Sequence, residues 1–121
     1  MEVFGYRKLI AYQKAKDVIY KLLKKFPAEE RFAMCDQLSR ALISITSNIA
    51  EGVNRFSVKE KSHFIELAYG SLMEVSSQFE IAEELDYITS DDRLNMDQLI
   101  EEDARLLSGL LNSFKPSDSK Q

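Results

Sequence analysis

Apolar residues recur at steps of three and four along most of the chain, and very few residues interrupt this pattern. The 121 residues include only four glycines and two prolines. Such a pattern is typical of amphipathic α-helices that bury one face. The scarcity of glycine and proline argues against a β fold, which needs many turns. The sequence therefore predicts an all-α protein.

Four long helices are predicted, joined by short connections of roughly three to six residues. They run from about Tyr6 to Lys25, Glu29 to Glu51, Ser57 to Asp86 and Ser90 to Phe114. Short connections make neighbouring helices antiparallel, so we expect an up-down-up-down antiparallel four-helix bundle over residues 1–114. Residues 115–121 are polar and are expected to form a disordered tail.

The expected core consists of the apolar stripes. In the second predicted helix these residues are Phe32, Leu38, Ala41, Leu42, Ile45 and Ile49. In the third they are Phe64, Leu67, Ala68, Leu72, Val75, Phe79, Ala82 and Leu85, and in the fourth Leu94, Leu99, Leu106, Leu107, Leu110 and Phe114. Gly52 is expected to end the second helix in the left-handed conformation. Ser57 and Glu60 are expected to begin the third helix as a capping box.

Further apolar residues widen these faces: Tyr12, Met34, Ile65, Tyr69, Met73, Ile81, Ile100 and Leu111. They predict more apolar surface than one small bundle buries, and therefore a homo-oligomer. The alternative is that they only broaden the internal core.

The second predicted helix also carries a polar stripe, displaced by about 100° from the apolar one. The stripe comprises Gln37, Arg40, Ser44, Asn48 and Glu51, and the third helix has a matching stripe with Gly70, Ser71, Glu74, Ser77 and Gln78. Serine and asparagine are weak helix formers, so this stretch is either a functional site or a polar contact between helices. We favour the contact, and we call the first stripe together with Gly70, Ser71 and Glu74 the polar belt.

A hairpin that closes near residues 52–57 places Arg40 level with Gly70 and near Glu74, and Asn48 level with Ser62 and His63. Glu51 lies at the carboxyl end of its helix, where a carboxylate opposes the helix dipole. We expect Glu51 to be compensated by Arg55 and the start of the third helix, and so to brace the turn.

Charge is distributed unevenly, although the whole chain has a net charge of only −4 and a pI of about 5.1. Residues 1–27 contain seven basic and two acidic side chains, and residues 80–103 contain ten acidic and one basic. The candidate nucleic-acid-binding residues lie on the first helix: Arg7, Lys14, Lys21, Lys24 and Lys25. The alternative is a protein-interaction module that uses the acidic end, with Glu80, Glu83, Glu84, Glu101 and Glu102.

No catalytic residue, metal site, cofactor or small-molecule substrate is predicted. Glu60 and His63 have the Glu-x-x-His spacing of di-iron bundles, but those sites need two such pairs and further carboxylates, and the chain has one histidine. No segment resembles a signal peptide or approaches the ~20 apolar residues of a membrane span. A single cysteine allows no internal disulfide, so a cytoplasmic location is expected.

The polar belt also carries a family resemblance. Arg40-Ala41, Ser44-Ile45 and the segment Asn48 to Gly52 resemble proteins encoded within intervening sequences of bacterial 23S ribosomal RNA genes. So do Phe26-Pro27, Glu30, Gln37, Gly70-Ser71 and Glu74, within a similarity that spans roughly residues 6–90. Accessory proteins of diversity-generating retroelements look like relatives of the same group. Members of the group often have proline where this chain has Thr46.

The resemblance implies a non-enzymatic four-helix bundle that assembles into a ring-like homopentamer. It also implies binding to RNA or DNA, although the retroelement relatives look strongly basic and this chain is acidic overall.

Overall fold

The computed structural model describes residues 31–114 and, from the preceding part of the chain, Gln13 alone. Residues 31–114 form three α-helices and no strand: α1 (Arg31–Val53), α2 (Val58–Glu84) and α3 (Ser90–Ser113). They correspond to the second, third and fourth predicted helices, so the all-α prediction is confirmed for this part. The first predicted helix and the tail lie outside the described residues, and the four-helix bundle therefore stays a prediction.

Helix α1 continues through Gly52, and the prediction that Gly52 ends it in the left-handed conformation is wrong. None of the described glycines has a positive φ. The N–H of Arg55 donates to the Gly52 carbonyl at 3.2 Å, and Asn54 Nδ2 donates to the Ala50 carbonyl at 3.0 Å. These two donors satisfy carbonyls at the end of α1 that have no partner within the helix.

Gly52 instead allows α1 and α2 to approach closely. A Cβ atom added at Gly52 would lie 3.0 Å from Ile65 Cδ1, 3.1 Å from Phe64 Cβ and 3.2 Å from the Lys61 carbonyl oxygen. Real side chains almost never pack three such contacts around one Cβ without a shift of the neighbouring helix. The absence of a side chain is therefore what the packing requires at this position.

Two side-chain caps begin the other helices. Ser57 Oγ accepts from the Glu60 N–H at 3.1 Å, which is the first half of the predicted capping box. The Glu60 carboxylate then accepts from the Ser57 hydroxyl at 3.3 Å and lies 3.8 Å from Arg55 Nη1. The complete capping box is at the start of α3, where Thr89 Oγ1 accepts from Asp92 N and Asp92 Oδ2 accepts from Thr89 N.

The connection between α2 and α3 is a Schellman motif. Asp86 has a φ of 61°, in the left-handed region. The N–H of Tyr87 donates to the Ala82 carbonyl and the N–H of Asp86 donates to the Glu83 carbonyl, both at 2.9 Å. This pair of hydrogen bonds satisfies the last carbonyls of α2 and turns the chain back along it.

The three helices are antiparallel to their chain neighbours. Gly52 near the end of α1 lies against Phe64 near the start of α2, while Ser44 contacts Ser71 further along. In the same way Arg93 at the start of α3 pairs with Glu83 at the end of α2. Both α1 and α3 pack on α2, and among these three helices the backbones of α1 and α3 are not adjacent.

The core lies along the facing stripes of the three helices. Its fully or nearly fully buried side chains are Leu38, Ala41, Leu42, Ile45, Ile49, Ile65, Ala68, Leu72, Val75, Phe79, Ala82, Ile88, Met96, Ile100 and Leu107. Five of the six residues predicted for α1 are among them, and the side chain of Phe32 is outside the description. Leu67, Leu85 and Leu94 were expected in the core and are instead exposed.

Most residues that widen the predicted apolar faces belong to the core. Ile65 and Ile100 are buried, and Met34, Tyr69 and Leu111 pack partly buried against the cluster. Only Met73 and Ile81 are exposed, and Tyr12 lies outside the described residues. A broader internal core thus explains most of this set, and among its described members only the exposed Met73 and Ile81 still support an oligomer.

None of the three described helices is long and apolar enough to cross a membrane.

Candidate functional site in the groove between α1 and α2

A small hydrogen-bond network joins α1 to α2 at the centre of the polar belt. The hydroxyls of Ser44 and Ser71 share a hydrogen bond of 2.9 Å. Asn48 Nδ2 donates to the Ser44 carbonyl at 2.8 Å and to Ser44 Oγ at 3.0 Å. All three side chains are partly buried, so their polar groups need these partners. This part of the belt docks one helix against the other.

A groove opens on the solvent side of the Ser44–Ser71 contact. Its volume is about 410 Å³, and it is lined by Gln37, Arg40, Ala41, Ser44, Ser71, Glu74 and Gln78. Six of these seven residues are polar, and five of the six belong to the predicted polar belt: Gln37, Arg40, Ser44, Ser71 and Glu74. The structure therefore brings this part of the belt into one surface.

The long polar side chains of the groove are not used to dock α1 against α2. Arg40 pairs through Nε with Asp36 on its own helix at 3.2 Å, and its side chain is 78% exposed. Glu74 is exposed on the opposite wall. Gln78 Oε1 is shielded from solvent and accepts no hydrogen bond from the described residues. The groove thus presents a cation and an anion on facing walls.

The register of the two helices differs from the prediction. The predicted hairpin places Ser44 opposite residue 66, whereas Ser44 contacts Ser71. Asn48 bonds within α1 and does not reach Ser62 or His63. The reason is that the first turn of α2 extends beyond the end of α1, so that packing begins only where Gly52 meets Lys61 to Ile65. Arg40 and Glu74 nevertheless line the same groove, as expected.

Glu51 lies at the end of the belt and is paired with Arg55. Arg55 Nη2 donates to Glu51 Oε2 at 2.6 Å, and Nη1 lies 3.8 Å from Glu60 Oε2. The guanidinium also lies over the Phe64 ring, 4.8 Å from its centroid. Arg55 therefore links both ends of the turn, in the place where the sequence predicts compensation for Glu51. At the start of α2 the Glu60 N–H donates to the Ser57 side chain and not to Glu51.

The position of Gly70 in the belt is not explained by packing against the other described helices. It is exposed, and no atom lies within 4 Å of a Cβ placed there. Glycine in a helix interior costs roughly 1 kcal/mol relative to alanine. Leu67 and Ile81 flank it on the same stripe of α2 and are 44% and 42% exposed.

The acidic end is partly occupied by contacts within the chain. Arg93 Nη1 donates to Glu83 Oε1 at 2.8 Å, and Arg93 Nε lies 3.4 Å from Asp97 Oδ2. Hydrogen bonds from the Ser90 side chain and from Arg93 lower the pKa of Glu83. The hydrogen bond with Glu83 raises the pKa of Arg93.

The remaining acidic candidates differ in exposure. Glu80, Glu84 and Glu101 are exposed, whereas Glu83 and Glu102 are half-buried. Glu101 lies 3.6 Å from Arg105. The five residues therefore do not present one free acidic surface.

The remaining predicted sites are the basic residues of the first predicted helix and the Glu-x-x-His pair. Arg7, Lys14, Lys21, Lys24 and Lys25 lie outside the described residues. Glu60 takes part in the cap of α2, and exposed His63 packs edge-on against Phe64 with ring centroids 5.4 Å apart. Within the part of the chain that the structure describes, no three His, Cys, Asp or Glu side chains are grouped to hold a metal ion.

Comparisons with known proteins agree with the helical fold. The model of the 23S rRNA-intervening sequence protein family matches residues 7–109. A crystal structure of a protein with unknown function from the S23 ribosomal protein family of Bacteroides thetaiotaomicron superposes with a TM-score of 0.76. It is 22% identical, and the similarity covers 85% of this chain and 96% of that one. A search of curated proteins finds no match.

Proposed function

Since the chain belongs to the 23S rRNA-intervening sequence protein family, we propose that it is a non-enzymatic, homo-oligomeric helical scaffold that binds RNA or DNA. The ring of five subunits implied by the family resemblance is the proposed stoichiometry. The basic face of the first predicted helix is the proposed nucleic-acid surface.

One stripe of α2 carries the proposal of an oligomer. Five exposed residues follow one another along this stripe at steps of three, four or seven: Leu67, Gly70, Glu74, Ile81 and Leu85. A solvated helix face seldom repeats large apolar residues. This stripe has apolar residues at both ends and a polar centre, and therefore resembles a subunit contact.

The distribution of charge supports the nucleic-acid surface. Residues 31–114 contain seven basic and fifteen acidic side chains, a net charge of −8, whereas residues 1–27 have a net charge of +5. A cyclic arrangement would repeat the basic segment around the assembly, and repeated cations attract a phosphate backbone. The acidic-end alternative is less favoured because Glu83 is already paired with Arg93.

The oligomer is tested by the mass of the full chain in solution. Light scattering coupled to size exclusion is expected to give a multiple of 13.9 kDa, with five copies the expected value. The mass should hold over a tenfold dilution, as expected when the dissociation constant lies well below the protein concentrations used. A mass of one chain at every concentration contradicts the proposal.

Nucleic-acid binding is tested by electrophoretic mobility shift with single-stranded RNA and duplex DNA. We expect a shift at micromolar protein and low salt that weakens steeply at moderate salt, because phosphate contacts release counterions. The charge reversals Lys14→Glu and Lys21→Glu together should abolish the shift. Lys59→Glu, which changes an exposed lysine of α2, is the control and should retain most of it. No shift of either nucleic acid by the native chain contradicts this part of the proposal.

A further inference from the structure

We propose that the groove between α1 and α2 receives the outer face of α3 from a second copy of the chain, with Arg40 facing Glu101 and Glu74 facing Arg105 of that copy. This inference rests on the proposed homo-oligomer, and it assigns the surfaces through which neighbouring copies meet.

Among residues 31–114, the polar and charged groups that line the groove are incompletely paired. In this part of the chain Arg40 forms an ion pair with Asp36 alone, and a pair this exposed contributes little to stability. Glu74 is on the other wall, one helical turn from the shielded Gln78 Oε1 that lacks a donor. An anionic side chain of a second copy would pair with Arg40 on the first wall. An arginine of that copy would pair with the second wall, because its several N–H donors can reach the Glu74 carboxylate and the Gln78 amide oxygen together.

The surroundings of the groove suit another helix. Gly70 leaves open space beside Glu74, and small residues let two helix backbones approach closely. Leu67 and Ile81 lie on the same stripe above and below, where they supply apolar contact area. A small molecule is the less suitable occupant, because pockets for such ligands are concave and mostly apolar, whereas this groove is open and polar.

The outer face of α3 has the matching features. Its residues recur at steps of four and three and are all exposed: Leu94, Gln98, Glu101, Arg105, Ser108 and Asn112. Leu94 is 60% exposed, the largest exposed fraction of any large hydrophobic side chain on the three helices. Glu101 and Arg105 lie 3.6 Å apart with side chains 69% and 71% exposed. Both charges are therefore free to reorient towards a partner.

The positions of these charges along the bundle agree with a side-by-side arrangement. Arg40 is nine residues from the first residue of α1, Glu74 ten from the last of α2, and Glu101 eleven from the first of α3. These three helix ends lie at the same end of the molecule, because α1 and α2, and α2 and α3, are antiparallel. A neighbour in the same orientation thus brings Glu101 to the height of the groove, with Arg105 one turn further along.

Such a contact joins two different faces, so each copy keeps one groove and one α3 face for its two neighbours. Head-to-tail contacts of this kind close into a ring when the rotation between copies divides a full turn. The inferred contact is therefore compatible with a ring of five, and a groove-to-groove contact related by a two-fold axis is not.

Charge reversal on each face, measured by light scattering of the full chain, tests the contact. The groove variant is Arg40→Glu with Glu74→Arg, and the α3 variant is Glu101→Arg with Arg105→Glu. Each keeps the net charge. Each is expected to raise the concentration of half-assembly at least about tenfold, because like charges then face each other. The chain that carries all four changes should assemble within about threefold of the native concentration, since opposite charges again face each other.

The matched control is Lys59→Glu with Glu66→Arg, which exchanges two exposed charges of α2 outside both faces and should leave assembly unchanged. Circular dichroism verifies that each variant is folded. Unchanged assembly in both single-face variants, or no recovery in the combined variant, overturns the inference and leaves the oligomer itself intact. A native chain that is monomeric throughout overturns the proposed function as well.

Discussion

Phe79→Ala is expected to lower the free energy of unfolding by about 3–5 kcal/mol, the range measured when a buried aromatic residue is truncated to alanine. Phe79 is the largest fully buried side chain of the described helices. The loss has two components. The ring no longer leaves water when the chain folds, and the neighbouring core side chains lose contact atoms where a cavity remains.

The position of Phe79 makes the loss large. It lies on α2, the helix against which both α1 and α3 pack. Phe79 is fully buried within the core cluster, and closely packed surroundings leave a cavity there little freedom to collapse. Domains of this size have a total stability of about 5–15 kcal/mol, so the variant is expected to be close to unfolding at room temperature.

Phe56→Ala provides the matched control, because it is the same chemical change at a residue that is 99% exposed. Its effect should stay within about 0.5 kcal/mol, as for most surface substitutions. Urea unfolding followed by circular dichroism measures both variants. A loss below about 1 kcal/mol for Phe79→Ala, or equal losses for the two variants, contradicts the described core.

The apolar stripe of α1 and most of that of α3 could be predicted from the sequence. In α1 the buried Leu38, Leu42 and Ile45 fall on one face at steps of four and three, although Ile43 on another face is 58% exposed. In α3 Leu107 is buried as predicted, and four further predicted residues pack against the core: Leu99, Leu106, Leu110 and Phe114. The core uses Met96 and Ile100, while Leu94 on another face is exposed.

The buried Asp103 also escaped the sequence analysis. It is 0% exposed, and it lies in a run of acidic residues that reads as a solvated surface. Its spacing does distinguish it from Glu101 and Glu102, because Asp103 lies three residues after Ile100 and four before Leu107, on the buried stripe of α3.

The polar belt could be identified from the sequence, but its division into two parts depends on side-chain length. Ser44 and Ser71 are short, so a hydrogen bond between them requires the two helix backbones to be near. Arg40 and Glu74 are long, and their charged groups reach solvent from the same surface. Spacing along the chain gives the face on which a residue lies, whereas the depth of its polar atoms follows from the tertiary contact.

Gly52→Leu is expected to lower the free energy of unfolding by about 1–3 kcal/mol or more, the usual cost of forcing extra atoms into a packed site. Leucine forms helices better than glycine by most of 1 kcal/mol, so helix propensity alone would stabilise the variant. The contacts around Gly52 determine whether the substitution raises or lowers the free energy of unfolding. Even the first added carbon meets Phe64 Cβ at 3.1 Å and the Lys61 carbonyl at 3.2 Å. Neither atom can rotate away, because both are held by the backbone of α2.

Gly109→Leu is the matched control, since Gly109 is in the interior of α3 and has nothing within 4 Å of an added Cβ. It should raise stability by roughly 0.5–1 kcal/mol through helix propensity. If Gly52→Leu lowers the free energy of unfolding and Gly109→Leu raises it, the cost at position 52 comes from contacts with α2 and not from leucine itself. If Gly52→Leu is as stable as the native chain, α1 and α2 do not approach each other as described. The register of the groove, which begins at this contact, would then have to be assigned differently.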